Sequence, residues 1–485
     1  MKKKVAVIII CILISLILPA CGTDAQTARL QTGENEQIIS SPPDAMQATQ
    51  PTVVEFDNSV FEASIRLALD KPDGDIYQYE LDNIYRLVIY WDDYAKINEA
   101  ADEYIASEDY LYKGQIDSWQ EPYVISLTDI TMLPNLEELY ITDLGINDAE
   151  ALAGLSNLRL LCLTSDAIND ISWIQSLTSL ETVILKNNCL KIIPDINSLN
   201  NLVYLDLSSN GIEGSESILS LPNLEVFDLA ANELTDVDFI RNLLNLQELW
   251  LSGNHELSNI NGLVNLTNLT ELHMDNIICL ESLDSLSNLS NLRILGLEDT
   301  GVYDVTGFEG LSSLKELRMI VNEGVDMTPI SKLGNLEYLY AMVHDKKKYS
   351  VLLPHLAGLT NLKTLYLDCN PMYYDYDASN VTDISYLKDL TNLELLHIYD
   401  GEVKDIEALR GMTELKSLII NDGQIADISP LAGLVNLELL ELYSNEISDI
   451  SVLANLHNLK ILFIENNPIE DYSVLDQLDL DELIK

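Results

Sequence analysis

The chain of 485 residues sets 27 Lys plus Arg against 78 Asp plus Glu, a formal net charge of −51, with 47% hydrophobic residues. That balance argues against nucleic acid and anionic lipid headgroups as partners, because both are held through basic side chains. Six cysteines with no CxxC pair give no sign of a disulfide framework or a zinc site, and the hydrophobic fraction is ample for a continuous core.

At the start of the chain Lys2, Lys3 and Lys4 precede an apolar run from Val5 to Leu18, which closes on Leu18-Pro19-Ala20-Cys21. The run is shorter than the about 20 residues of a membrane span, so residues 1–20 read as an export signal. Its end resembles a bacterial lipobox. That resemblance implies a lipoprotein whose lipidation site is Cys21, held at the extracytoplasmic face of the cell membrane by its acyl chains. Residues 21–52, rich in Gln, Thr, Ser, Ala and Pro, lack the apolar content to fold and read as a disordered tether.

Residues 53–135 are expected to form an N-terminal cap. A helix is predicted over Asp57 to Leu69, with Asp57, Asn58 or Ser59 as its N-cap and Phe61, Ile65, Ala68 and Leu69 on one face. Pro72 and Gly74 stop it. Ile84, Leu87 and Ile89 then read as a strand, and Asp129, Ile130 and Leu133 as an apolar return. Between them lies an acidic, tyrosine-rich insert, Trp91 to Tyr123, with a helix expected over Ala95 to Ile105.

From Leu136 to the C-terminus one pattern recurs. Its marker leucines are Leu136, Leu158, Leu180, Leu202, Leu224, Leu246, Leu269, Leu292, Leu314, Leu336, Leu362, Leu393, Leu415, Leu437 and Leu459. Ten of the fourteen steps are 22 residues and two are 23; only Leu336 to Leu362 and Leu362 to Leu393 are clearly longer. In the fullest copy, Leu437, Leu440, Leu442, Asn445, Ile447, Ile450 and Leu453 give LxxLxLxxNxIxDIxxL. A unit of this kind cannot bury its own apolar side and needs neighbours like itself. The pattern resembles the bacterial, internalin-like leucine-rich repeat. The resemblance implies an α/β solenoid, a horseshoe of about fifteen 22-residue repeats over 136–485. It also implies a parallel sheet on the concave face and a mainly helical cap over the first, otherwise unpaired strand.

Within a repeat, positions one, four and six should face inward, and three, five and seven outward. The ninth position holds asparagine at Asn188, Asn210, Asn232, Asn254, Asn322, Asn370, Asn445 and Asn467, expected as an internal hydrogen-bonded row. Asp166, Ile277, Thr300 and His344 depart from it, and looser turns are expected there. Cys279 falls on an inward apolar position and reads as core filler.

Function then has to sit on the outward face. The fifth and seventh positions place Trp250, His273, Tyr340, Tyr366, His397, Tyr399, Tyr443 and Phe463 there, gathered mostly from the tenth repeat onward. Exposed aromatics of this kind supply contact area at low entropic loss, which marks these residues as the candidate partner-binding set. The two long steps add rim loops: Asp345 to His355, with Lys346, Lys347 and Lys348, and Pro371 to Asp383, with Tyr373, Tyr374 and Tyr376. Asp375, Asp377 and Ser379 resemble the start of a calcium loop, but Asn380 and Tyr386 stand where glycine and glutamate are required, so no metal is expected. None of the six histidines lies in an HExxH, and no GxSxG, Walker loop or dinucleotide turn occurs; no enzyme activity and no cofactor are expected. The reading is a membrane-anchored lipoprotein whose repeats bind a protein partner, as internalin-like proteins do. A glycan-binding surface protein and a non-binding envelope scaffold are the alternatives.

Overall fold

Strand formation follows from the marker pattern. Three leucines at positions one, four and six with polar residues between them give a short run of period two, and one face of that run must be covered. The computed structural model describes residues 52–90, 124–322, 324–343, 349–369, 381–399 and 402–485. The expectations for the signal segment, Cys21, nearly all of the tether, the Trp91–Tyr123 insert, His344, Lys346 to Lys348, Asn370 and residues 371–380 lie outside the described residues.

Among the described residues, seventeen strands form one open sheet running from Arg86–Tyr90 at one edge to Glu482–Ile484 at the other. Each strand pairs in parallel with the next along the chain. Register is uniform: Leu161 lies level with Leu139 and Val183, and Leu440 with Leu418 and Leu462. These residues are fully buried, so the repeats share one interior that runs the length of the array. The chain returns through 3₁₀ turns such as Ala149–Gly154, Ser429–Gly433 and Ser451–Asn455, which insert Leu152, Leu431 and Leu453 from the opposite side. The architecture is that of a leucine-rich-repeat solenoid, as the resemblance implied.

The expected helix is found over Ser59–Ala68, here α1, and Asn58 is its cap: its side chain accepts from the Val60 and Phe61 N–H groups. Phe61 and Ile65 are buried. The buried carboxylate of Asp129 accepts the Asp57 and Asn58 N–H groups at 2.8 and 3.2 Å, tying the entry of α1 to the turn Thr128–Met132. The strand read at Ile84 to Ile89 is Arg86–Tyr90, and it completes the edge that Glu138–Thr142 would otherwise leave open.

The internal asparagine row is present. Asn254, fully buried, donates to the Leu229 and Leu251 carbonyls and accepts the Leu234 N–H; Asn210, Asn232, Asn445 and Asn467 repeat the arrangement. Asn322 differs, donating instead to the Thr300 and Val302 carbonyls. The departing turns close by other means. Ile277 is fully buried, Thr300 Oγ1 donates to the Leu297 carbonyl at 3.1 Å, and Asp166 Oδ1 accepts the Leu144 N–H at 2.9 Å.

Cys279 is a correction: it is exposed, not core. The 23-residue repeats carry their extra residue between the ninth position and the inward one that follows, so Leu257 and Leu280 occupy the interior while Glu256 and Cys279 turn outward. A second asparagine row, not anticipated, sits just before the marker leucine. Asn201, Asn223, Asn245, Asn291 and Asn436 each donate to a carbonyl of the preceding repeat at 2.6–3.0 Å. Beside it an alternating charge row runs along the rim. Glu337 is bridged by Lys315 and Lys363 at 2.7 and 2.6 Å, Lys416 meets Glu394 at 2.6 Å, and Lys460 meets Asp479 at 3.0 Å. Exposed pairs like these are screened by solvent and add little to stability. They occupy many of the few cations, leaving the sheet's outer face strongly acidic.

Candidate binding face

Neighbouring strands lie about 4.8 Å apart, so large side chains at the same position of successive repeats touch and shield one another. This shielding corrects the expectation that the fifth position is open to solvent. His397 is 1% exposed and Phe463 5% exposed, and Tyr140, Cys162 and Ile419 are buried as well. Burial pushes the Cys162 thiol up to about 12. Tyr340, Tyr366, Tyr399, Tyr443, Trp250 and His273 are half-buried, each offering an edge or a face outward.

The candidate residues fall into two groups. In the first, the Trp250 and His273 rings stack at 5.5 Å, nearly parallel. Asp228 and Asp206 follow on the adjacent strands, level with Trp250. Burial and the neighbouring Asp206 push Asp228 up to about 7, while burial lowers His273. The second group begins at the strand Tyr338–Val343. Tyr366 meets Tyr340 at 6.1 Å and His397 edge-on at 4.8 Å, and His397 meets Tyr399 edge-on at 6.0 Å. The Tyr340 hydroxyl donates to Asp368 Oδ2 at 2.9 Å. His397 Nε2 lies 2.8 Å from Ser417 Oγ, and burial pulls its basicity down to about 3, so the ring is neutral at physiological pH. Tyr443 and Phe463 continue the group toward the C-terminal edge.

Gly296 separates the two groups. The Asp275 carboxylate, held by the Ser252 hydroxyl and the Glu298 N–H, leans over it; a Cβ on Gly296 would come within 2.8 Å of Asp275 Oδ2. His273 and His397 stand five strands apart, roughly 24 Å, so they share no site. The structure also brings in residues that the reading of positions five and seven alone passed over. Tyr338, at the third position, packs on Tyr366 at 5.9 Å and lies under the Arg318 guanidinium at 5.6 Å. The same outward alternation would have found it. Asn421 and Glu441 join the second group through a hydrogen bond at 3.3 Å, which no single-repeat pattern displays. Cys21 lies outside the described residues.

Chemically the face offers aromatic surface, carboxylates and amide groups, with Arg318 as a cation at the border of the second group. The family description "Leucine Rich repeats (2 copies)" matches residues 200–242, 222–265 and 435–477. No curated protein matches the chain in sequence. Among solved structures, an internalin from Listeria monocytogenes is 24% identical, with 86% of this chain and 98% of that one covered and a TM-score of 0.50. A leucine-rich-repeat protein of Leptospira interrogans is 20% identical over 73% and 91%, with a TM-score of 0.55. The functional domain of a second Listeria monocytogenes internalin, which includes a cysteine ladder, is 18% identical over 87% and 77%, with a TM-score of 0.54. At these identities the likeness is one of fold.

Proposed function

Taking the chain as a leucine-rich-repeat protein of internalin-like fold, we propose that it is an extracytoplasmic lipoprotein, anchored through Cys21, whose sheet face binds a protein partner. The observation that carries this reading is the contiguous aromatic group of Tyr338, Tyr340, Tyr366, His397 and Tyr399. Its members hold each other in place, so little conformational freedom is lost on binding. Elsewhere the core is shared scaffold, and catalysis has no part in the proposal.

The test is photo-crosslinking on intact cells with the full chain and with Tyr340, Tyr366 and Tyr399 all replaced by Ala. The triple variant is expected to keep its thermal midpoint within a few degrees and to lose at least nine-tenths of the crosslinked partner. Undiminished crosslinking would remove this face from consideration. Cys21→Ser is expected to move the protein from the membrane fraction to the soluble fraction, and retention in the membrane would defeat the anchor. Among the described residues no helix is long and apolar enough to cross a membrane. A second reading, a glycan surface, draws on the Trp250–His273 stack beside Asp228. Sugar hits on a glycan array without any protein crosslink would favour it.

A further inference from the structure

The C-terminal part of the face holds a polar cluster that the aromatic group does not explain. Glu441 stands at the fifth position of its strand, 7% exposed, and accepts the Asn421 Nδ2–H at 3.3 Å. The Asn421 amide nitrogen is taken up by Glu441, and in register Asn421 lies between the strands that lead to Tyr399 and Tyr443. The Asn421 amide oxygen is buried in a side chain 1% exposed and has no hydrogen-bond partner. A buried acceptor left unsatisfied costs about 1–3 kcal/mol, and an unpaired one inside a native face calls for an explanation. Tyr399 and Tyr443 occupy the seventh position on either side of Asn421, half-buried, and Tyr399 feels both the Glu441 charge and Tyr443.

We propose that Glu441, Asn421, Tyr399 and Tyr443 form a subsite for an organic cation, the ammonium or guanidinium of a Lys or Arg side chain presented by the protein partner. The proposal rests on the functional reading above and specifies the chemistry of the partner at one point. A cation bearing several N–H donors fits three demands at once. It neutralises a carboxylate held in a poorly solvated place, it supplies the donor that the Asn421 oxygen lacks, and its charged plane or head lies against tyrosine faces. A sugar hydroxyl would serve the oxygen but leave the charge unmatched. The surroundings agree. Burial raises the Glu441 carboxyl above its usual range, so a bound cation has a large electrostatic effect to exert on it. Asp368, on the far side of Tyr399, adds negative potential, and His397 beside Tyr399 is neutral and does not oppose a positive ligand. Tyr399 and Tyr443 flank the subsite on the neighbouring strands, and because Asn421 is 1% exposed, entry of the cation requires a side chain of the face to move.

The experiment measures fluorescence anisotropy of fluorescein-labelled tri-arginine and tri-lysine, with tri-glutamine as the neutral comparison, against the full chain at 0.15 M salt. Glu441→Gln keeps the shape and the bond to Asn421 while removing the charge, so it folds. Glu271→Gln removes an equivalent charge from the same face, outside the subsite. The expected result is at least tenfold weaker binding of the cationic peptides to Glu441→Gln and Tyr443→Ala, with less than a twofold change for Glu271→Gln. Equal weakening by the two glutamate variants would reduce the effect to the general acidity of the face and overturn the subsite, as would equal binding of tri-glutamine. If the three-tyrosine variant loses its partner on cells while Glu441→Gln keeps it, the subsite fails and the face stands. If neither variant loses it, the face itself is wrong.

Discussion

Asp166→Asn is expected to stabilise the array by on the order of 4 kcal/mol at pH 7 and by almost nothing at pH 4. Asp166 is fully buried at the ninth position of its repeat, where other repeats place asparagine. Its Oδ1 accepts the Leu144 N–H at 2.9 Å, while Oδ2 is buried without a partner. Burial, with the nearby Asp143 charge, pushes the carboxyl up to about 8, against the single opposing Leu144 hydrogen bond. The sign follows directly. In the unfolded chain the group ionises near pH 4, and in the folded chain only near pH 8. The stability it contributes is therefore complete below pH 4, declines by about 1.4 kcal/mol per pH unit between those values, and is flat above. An asparagine has no such ionisation, and its amide hydrogens can serve the carbonyls that the row elsewhere serves. Urea unfolding of both proteins at pH 5, 6.5 and 8 reads the difference. Parallel pH dependences for wild type and variant would show that Asp166 is solvated and that this account of it is wrong.

Asn254→Ala is expected to destabilise by about 2–6 kcal/mol. The side chain is fully buried and makes three bonds, to the Leu229 and Leu251 carbonyls at 2.9 and 2.8 Å and from the Leu234 N–H at 3.1 Å. Removing it strands the Leu234 N–H in the interior, worth about 1–3 kcal/mol, and loses two further bonds of about 0.5–1.5 kcal/mol each, although the Leu229 carbonyl keeps the Asn232 amide and the Leu251 carbonyl keeps the Asn254 N–H. Asn245→Ala makes the comparison within the same repeat region. Asn245 donates to the Pro222 carbonyl at 2.6 Å but lies in solvent, where water replaces the bond, and less than about 1 kcal/mol is expected. Because each repeat leans only on its neighbours, the Asn254 variant should also split the unfolding transition into two, a signature absent from the Asn245 variant. Equal effects of the two substitutions would mean that burial does not distinguish the rows.

The contrast between these rows shows what is legible along the chain. Asparagine at the ninth position reads as an internal row because a fixed position in every repeat becomes a column once repeats stack, and among the described residues Asn188, Asn210, Asn232, Asn254, Asn445 and Asn467 bear this out, while Asn322 turns to other carbonyls. The row at Asn201 and Asn245 is equally periodic in sequence. It went unread because an exposed asparagine is common, and its partner lies in the preceding repeat. Cys279 departs from its inward reading through a one-residue insertion: the 23-residue step from Leu269 to Leu292 shows that a residue is added but not where, and its place displaces the inward position to Leu280.

The binding face divides in the same way. Its location, and the side to which Tyr340, Tyr366 and Tyr399 belong, followed from period-two alternation, because alternation is a property of each strand alone. Which of these side chains remains accessible was decided between strands. His397 is sealed by Tyr366, Tyr399 and Ser417, and Phe463 is buried in the C-terminal part of the face, whereas the tyrosines keep an edge in solvent. The Glu441–Asn421 pair, twenty residues apart, exists only because the repeats are in register. By itself the sequence determined the repeat, its stacking and its inward face, since these follow from leucine spacing and the need to cover it. The tertiary structure alone decided which outward groups are buried, paired or left without partners, because those depend on distances between neighbouring coils that no single repeat contains.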